Sequence, residues 1–206
     1  MQKAIDDWRA GGTVASLPGG FSLSREKLET FYPNFFSPVG FLIRLIKTFL
    51  LPRLFLTAGG IESHLRLGDC SAAVVITTAP LLVASYTGER DCVVLLKFPE
   101  EFVGDYSLKP GTRLVSVNTY MQGPNKTPLD MIEGPQSAGR WHNVVPLIAD
   151  FLSDDTQAIA QRKRQIPEAE WRRAATLGVE FTNKFPGKSR NGSPQDSWKP
   201  CITAWF

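Results

Sequence analysis

Between residues 64 and 121 short apolar runs alternate with joints too brief to hold a helix, and this restricts the fold more than any other feature of the chain. The runs are HLRLGD (64–69), SAAVVITTAP (71–80), LLVASYTGERD (81–91), CVVLLKFPEEF (92–102) and TRLVSVNTYM (112–121). Rich in Val, Leu and Ile and bounded by turn formers, they predict five strands. The joints at Gly68-Asp69, Thr78-Ala79-Pro80 and Gly88-Glu89-Arg90-Asp91 leave no room for crossover helices. At least the first four strands are therefore expected to run as an antiparallel meander. In the first run Leu65 and Leu67 alternate with His64 and Arg66, whereas Ala73 to Ile76 and Val93 to Leu96 are apolar at successive positions. Such runs belong to strands covered on both faces, and the flanking helices are the natural covers.

Helices are expected on either side of this block. Ala4, Ile5 and Trp8 share one side of a short helix over 2–10 that stops at Gly11. Ser24 is an N-cap for REKLETFY, which Pro33 ends, and Ser37-Pro38 starts a second helix running to about Leu50. Beyond the strands, a polar stretch from Met121 to Arg140 reads as an ordered surface loop. Helical period returns over Val144 to Leu152, continues weakly from Thr156 to Arg164, and is clearest from Pro167 to Lys184, where Trp171, Ala174, Ala175, Val179 and Phe181 fall on one side. PGKSRNGSPQD (186–196) has linker composition and precedes the apolar ending CITAWF. The expected class is α+β, an antiparallel β-meander of about five strands flanked by N-terminal and C-terminal helices. Residues 1–185 form its single domain, helical over 1–58, a sheet over 62–121 and helical again over 143–185; 186–206 are a flexible linker and apolar tail.

Composition narrows the function classes. The 23 basic and 20 acidic residues leave a net charge of +3, too mild for the dense basic face of a nucleic-acid binder, so no nucleic acid is expected. Cys70, Cys92 and Cys201 are too few and too scattered for a disulfide framework or a zinc site, which suits reduced thiols in the cytoplasm. If β-strands start at Cys70 and Cys92 with one strand between them, their separation of about 9.6 Å is too wide for a disulfide, and both read as buried small hydrophobes.

The strongest local signal is acid-free. No Asp or Glu occurs from Thr30 to Ile61, where FLIRLIKTFLLPRLFL carries Arg44, Lys47 and Arg53 as its only charges. On a helix these bases make a narrow positive stripe on an otherwise apolar cylinder. A single membrane span is disfavoured, because each base costs roughly 2.5–3.5 kcal/mol near the bilayer centre and Pro52 interrupts the helix. Three readings remain: a core helix covering the sheet, a surface for a protein partner or a second copy, and a membrane-peripheral helix whose bases meet anionic headgroups. The candidate contact residues are Arg44, Lys47, Arg53, Leu54, Phe55, Leu56, Trp205 and Phe206.

Signals for chemistry are sparse. With His64 and His142 the only histidines and no HxE or GxSxG pattern, no triad is legible, and the Gly pairs lack a phosphate-loop spacing. No cofactor and no metal are expected. An enzymatic or ligand-binding alternative places a pocket near the 121–140 loop, with His142, Asp130 and Glu133 around it. The run Arg162-Lys163-Arg164, with Arg172 and Arg173, reads as a mixed, solvated helix face. The leading expectation is a non-enzymatic interaction or adaptor protein.

Overall fold

A computed structural model describes residues 15–33, 35–37, 58–121, 128–133, 143–197 and 199–201. The expected helices over 2–10 and 38–50, the candidate contact residues Arg44, Lys47, Arg53, Leu54, Phe55, Leu56, Trp205 and Phe206, and His142 lie outside them.

The class is α+β with an antiparallel sheet. Its strands are β1 (Asp69–Thr78), β2 (Leu81–Thr87), β3 (Cys92–Lys97), β4 (Arg113–Met121), β5 (Ile132–Glu133), β6 (Asn143–Ile148) and β7 (Arg190–Asn191). The short joints do what their length dictates, and β1, β2 and β3 form an antiparallel meander with Ala73 opposite Ser85 and Ser85 opposite Val94. β4 then departs from a meander. Helix α3 (Glu101–Asp105) and the turn after it carry the chain across, so β4 pairs with the free edge of β1, and β6 adds to β4. The order is β5-β3-β2-β1-β4-β6, with β7 parallel on β3.

Two segments change type relative to the sequence reading. HLRLGD is not the first strand: residues 58–67 form helix α2 (Ala58–Leu67), which buries Ile61, His64 and Leu65. Those positions are i, i+3 and i+4, and within so short a run that spacing competes with the apparent alternation. Val144 to Leu152 is not helical but β6 followed by a 3-10 turn at Ala149–Phe151. Pro146 within it has no N–H to donate, which suits the last strand of the order.

The helix expected after the Ser24 cap is present, as are those expected from Thr156 and from Pro167. α1 (Arg25–Phe31) starts at Ser24, whose hydroxyl accepts from the Lys27 N–H at 3.3 Å. α4 (Thr156–Gln165) starts at Asp155, which accepts from Ala158 at 3.0 Å, and α5 (Glu168–Lys184) follows Pro167.

The doubly apolar runs are covered on both faces. On one face Ala72, Val74, Val93, Leu95 and Val115 pack with Leu28 of α1, Leu65 of α2 and Trp171, Leu177 and Phe181 of α5. On the other, Ala73, Val75, Val83, Val94, Leu96 and Ile148 enclose an aromatic cluster of Phe98, Phe102 and Phe151. Phe151 meets Phe98 and Phe102 edge-on with centroids 4.9 and 5.0 Å apart, geometry that adds to the burial itself.

The sheet curls until its ends approach. β7 lies on β3, yet the Arg190 Nη1 donates to the carbonyl oxygen of Val144 on β6, the last strand at the opposite end of the order, at 3.1 Å.

Candidate functional site

Arg190 is the hub of that closure. Its guanidinium grips Asp130 with two parallel bonds, Nε to Oδ2 at 2.9 Å and Nη2 to Oδ1 at 2.8 Å, and both side chains are fully buried. Nη1 also reaches Asn143 Oδ1 at 2.9 Å, and the Cys201 N–H donates to Asp130 Oδ2. A planar fork facing a carboxylate suits arginine, and each extra bond offsets some of the cost of burying two charges. The pair joins β7, β6 and the 128–133 segment. Asp130 is thus taken up in a structural clasp. Glu133 pairs with the buried Arg90, so these two carboxylates face separate arginines.

A recess of about 320 Å³ opens elsewhere, where β1 begins beside the start of α5. Its walls include Leu17, Asp69, Cys70, Ser71, Glu89 and Glu170, and none of the described residues lining it is basic. Asp69 is built in: its Oδ1 accepts from the Leu17 N–H at 2.8 Å, while the Cys70 N–H donates to the Leu17 carbonyl at 2.8 Å. Burial raises the Asp69 carboxyl above its usual range, the Leu17 bond opposes this, and the Glu89 charge adds to it. Burial, then the Asp69 charge, raises Glu170 likewise. The Cys70 thiol is pushed up to about 12 by burial, despite the nearby Arg162 guanidinium, and so stays protonated at neutral pH. The recess thus holds three carboxyl groups, Asp69, Glu89 and Glu170, with the Arg162 guanidinium close to Cys70. Among the described residues no group of His, Cys, Asp and Glu has the arrangement to hold a metal ion.

A third polar group lies within the sheet. Ser85 and Ser116 share a hydrogen bond at 2.7 Å, Ser116 donates to Asn118 Oδ1 at 2.8 Å, and Asn118 Nδ2 donates to Ser71 at 2.6 Å and to the Tyr86 carbonyl at 2.9 Å. The members satisfy one another, as buried polar groups must. His64 takes no share in it: its Nε2 sits 2.9 Å from the Val117 carbonyl, and burial lowers its pKa to about 4.

Two members of the basic cluster, Lys163 and Arg173, form ion pairs. Lys163 meets Asp150 at 2.6 Å, and Arg173 grips Asp91 at 2.9 and 3.0 Å while Tyr86 donates to the same carboxylate. Arg162 bonds Gln165 at 2.7 Å.

Cys70 and Cys92 are buried in β1 and β3 with β2 between them, and neither is in a disulfide. Among the described residues no helix is long and apolar enough to cross a membrane. The sequence reading missed Arg190, because the glycines, prolines and serines around it have linker composition. An isolated arginine there carries no local sign that its partner lies 60 residues upstream. Comparison with protein-family models, with characterised proteins and with solved structures gives no match, so the functional reading rests on this chain's own residues.

Proposed function

We propose that this chain is an interaction or adaptor protein whose acid-free segment contacts a protein partner or a second copy. Arg44, Lys47, Arg53, Leu54, Phe55 and Leu56 supply the contact, with Trp205 and Phe206 as accessory apolar residues. The supporting observation is that both faces of the sheet are packed by described elements. α1, α2, α5 and the aromatic cluster all pack against these faces. The segment itself is apolar with three positive charges and no acid, a composition that suits a contact surface. The cytoplasm is the proposed location, since three free cysteines suit a reducing compartment.

Replacing Leu45 and Phe49 by Asp tests the reading. The double variant is expected to keep the circular dichroism and melting behaviour of the parent while losing association in sedimentation velocity. Global unfolding would instead return the segment to the core, because an unpaired buried charge costs several kcal/mol. A second reading, a membrane-peripheral protein, rests on the same bases and apolar residues meeting anionic headgroups. Absence of binding to anionic vesicles at low salt removes it.

A further inference from the structure

β7 is followed by Gly192, and the packing there admits no other residue. The Gly192 N–H donates to the Lys97 carbonyl at 2.9 Å, and a Cβ at this position would lie 2.4 Å from Cζ of the buried Phe98 ring. Asn191 is therefore held next to a glycine, and this is the only Asn-Gly pair in the sequence. A glycine leaves the following backbone nitrogen without a side chain to hinder its approach to the asparagine carboxamide. In the folded chain that approach is opposed on three sides. Gly192 N is engaged with Lys97, Asn191 Oδ1 accepts from the Ser193 N–H at 2.9 Å, and Asn191 Nδ2 lies 3.4 Å from Asp196 Oδ2.

We infer that Asn191-Gly192 is a modification site, an asparagine that deamidates when β7 leaves β3 and is protected while β7 stays paired. In the released strand the Gly192 nitrogen attacks Cγ of Asn191. The N–Cγ bond forms, the Cγ–Nδ2 bond breaks, and the Gly192 amide proton ends on Nδ2, which departs as ammonia. Water then opens the succinimide at either carbonyl to give aspartate or isoaspartate. No oxidant, metal or cofactor enters the balance. Isoaspartate places an extra methylene in the main chain between Asn191 and Gly192. Leu96 opposite Arg190 and Lys97 opposite Asn191 then cannot be kept together with the Gly192 bond to Lys97. Conversion thus turns a reversible release of the strap carrying Arg190 into a permanent one.

The test incubates the full-length protein in mildly alkaline buffer, native and in denaturing urea, and follows amide-to-acid conversion at residue 191 by peptide mapping. Opening equilibria set the protection of paired backbone groups, so conversion in the native protein is expected to be at least about tenfold slower than in urea. Equal rates would overturn the protection. Asn191→Gln, whose cyclisation requires a larger ring, is expected to show no conversion in the same peptide; undiminished conversion there would overturn the assignment. Isoaspartyl protein returned to native buffer is expected to be cut by protease between residues 186 and 197 several-fold faster than unmodified protein. An unchanged rate would overturn the permanent release.

Discussion

Arg190 and Asp130 are both charged, and neither side chain reaches solvent. Removing one partner strands the other charge, so Arg190→Met is expected to lower unfolding free energy by about 3–5 kcal/mol. Asp130→Leu combined with Arg190→Met is expected to cost clearly less than the sum of the single changes, measured by urea unfolding as a double-mutant cycle. His64 makes a prediction of opposite origin. Its folded pKa, about 4, lies below the ordinary 6.5 because the ring is buried, so between these values the unfolded chain binds the extra proton. Stability from this residue is full above about pH 6.5 and is lost as pH falls toward 4, a change on the order of 3 kcal/mol. His64→Gln is expected to flatten that region of the pH–stability profile. None of these three roles was legible: the spacing of Ile61, His64 and Leu65 fits a helix, but the carbonyl that the buried ring meets belongs to Val117, 53 positions away.

At the scale of elements, α5 lies so close to the sheet that residue 178 has no space for a side chain. A Cβ there would stand 2.5 Å from Ala84 Cβ and 2.6 Å from Ile76 Cδ1. Gly178→Ala is therefore expected to lower stability by about 1–3 kcal/mol, although alanine is the better helix former by about 1 kcal/mol. The exposed Val179→Ala is the control, and its thermal midpoint is expected to stay close to that of the parent. Elements with chemistry at their ends were readable, as Ser24 before α1 and the short joints between β1, β2 and β3 show. α2 and β6 were not, because HLRL and VVPLIADFL fit both periods over so few residues. What decided between them was the neighbour available: β4 offers β6 a ladder from Ser116 to Met121.

On the scale of the molecule, the chain closes on itself through its late segments. β7 lies on the edge of β3, and Arg190 reaches from it to Asp130, Asn143 and Val144. Truncation after Phe185 removes the strand and the guanidinium together, leaves Asp130 buried without its partner, and uncovers some of the β3 edge. The truncated chain is expected to bind a hydrophobic dye and to be digested faster than the full chain; unchanged dye binding and digestion would contradict this closure. By itself the sequence determined the α+β class, the meander of β1 to β3, the two-sided burial of their apolar runs and the helices over 25–31, 156–165 and 168–184. Those follow from local quantities: joint length, residue period and caps. Only the tertiary structure decided that β4 pairs with β1, that α2 and β6 take the forms they do, and that Arg190 in a linker-like stretch closes the sheet. Each of these depends on a partner far away in sequence, and the free energy of burying an apolar face or a charge is set by that partner rather than by the residue's neighbours along the chain.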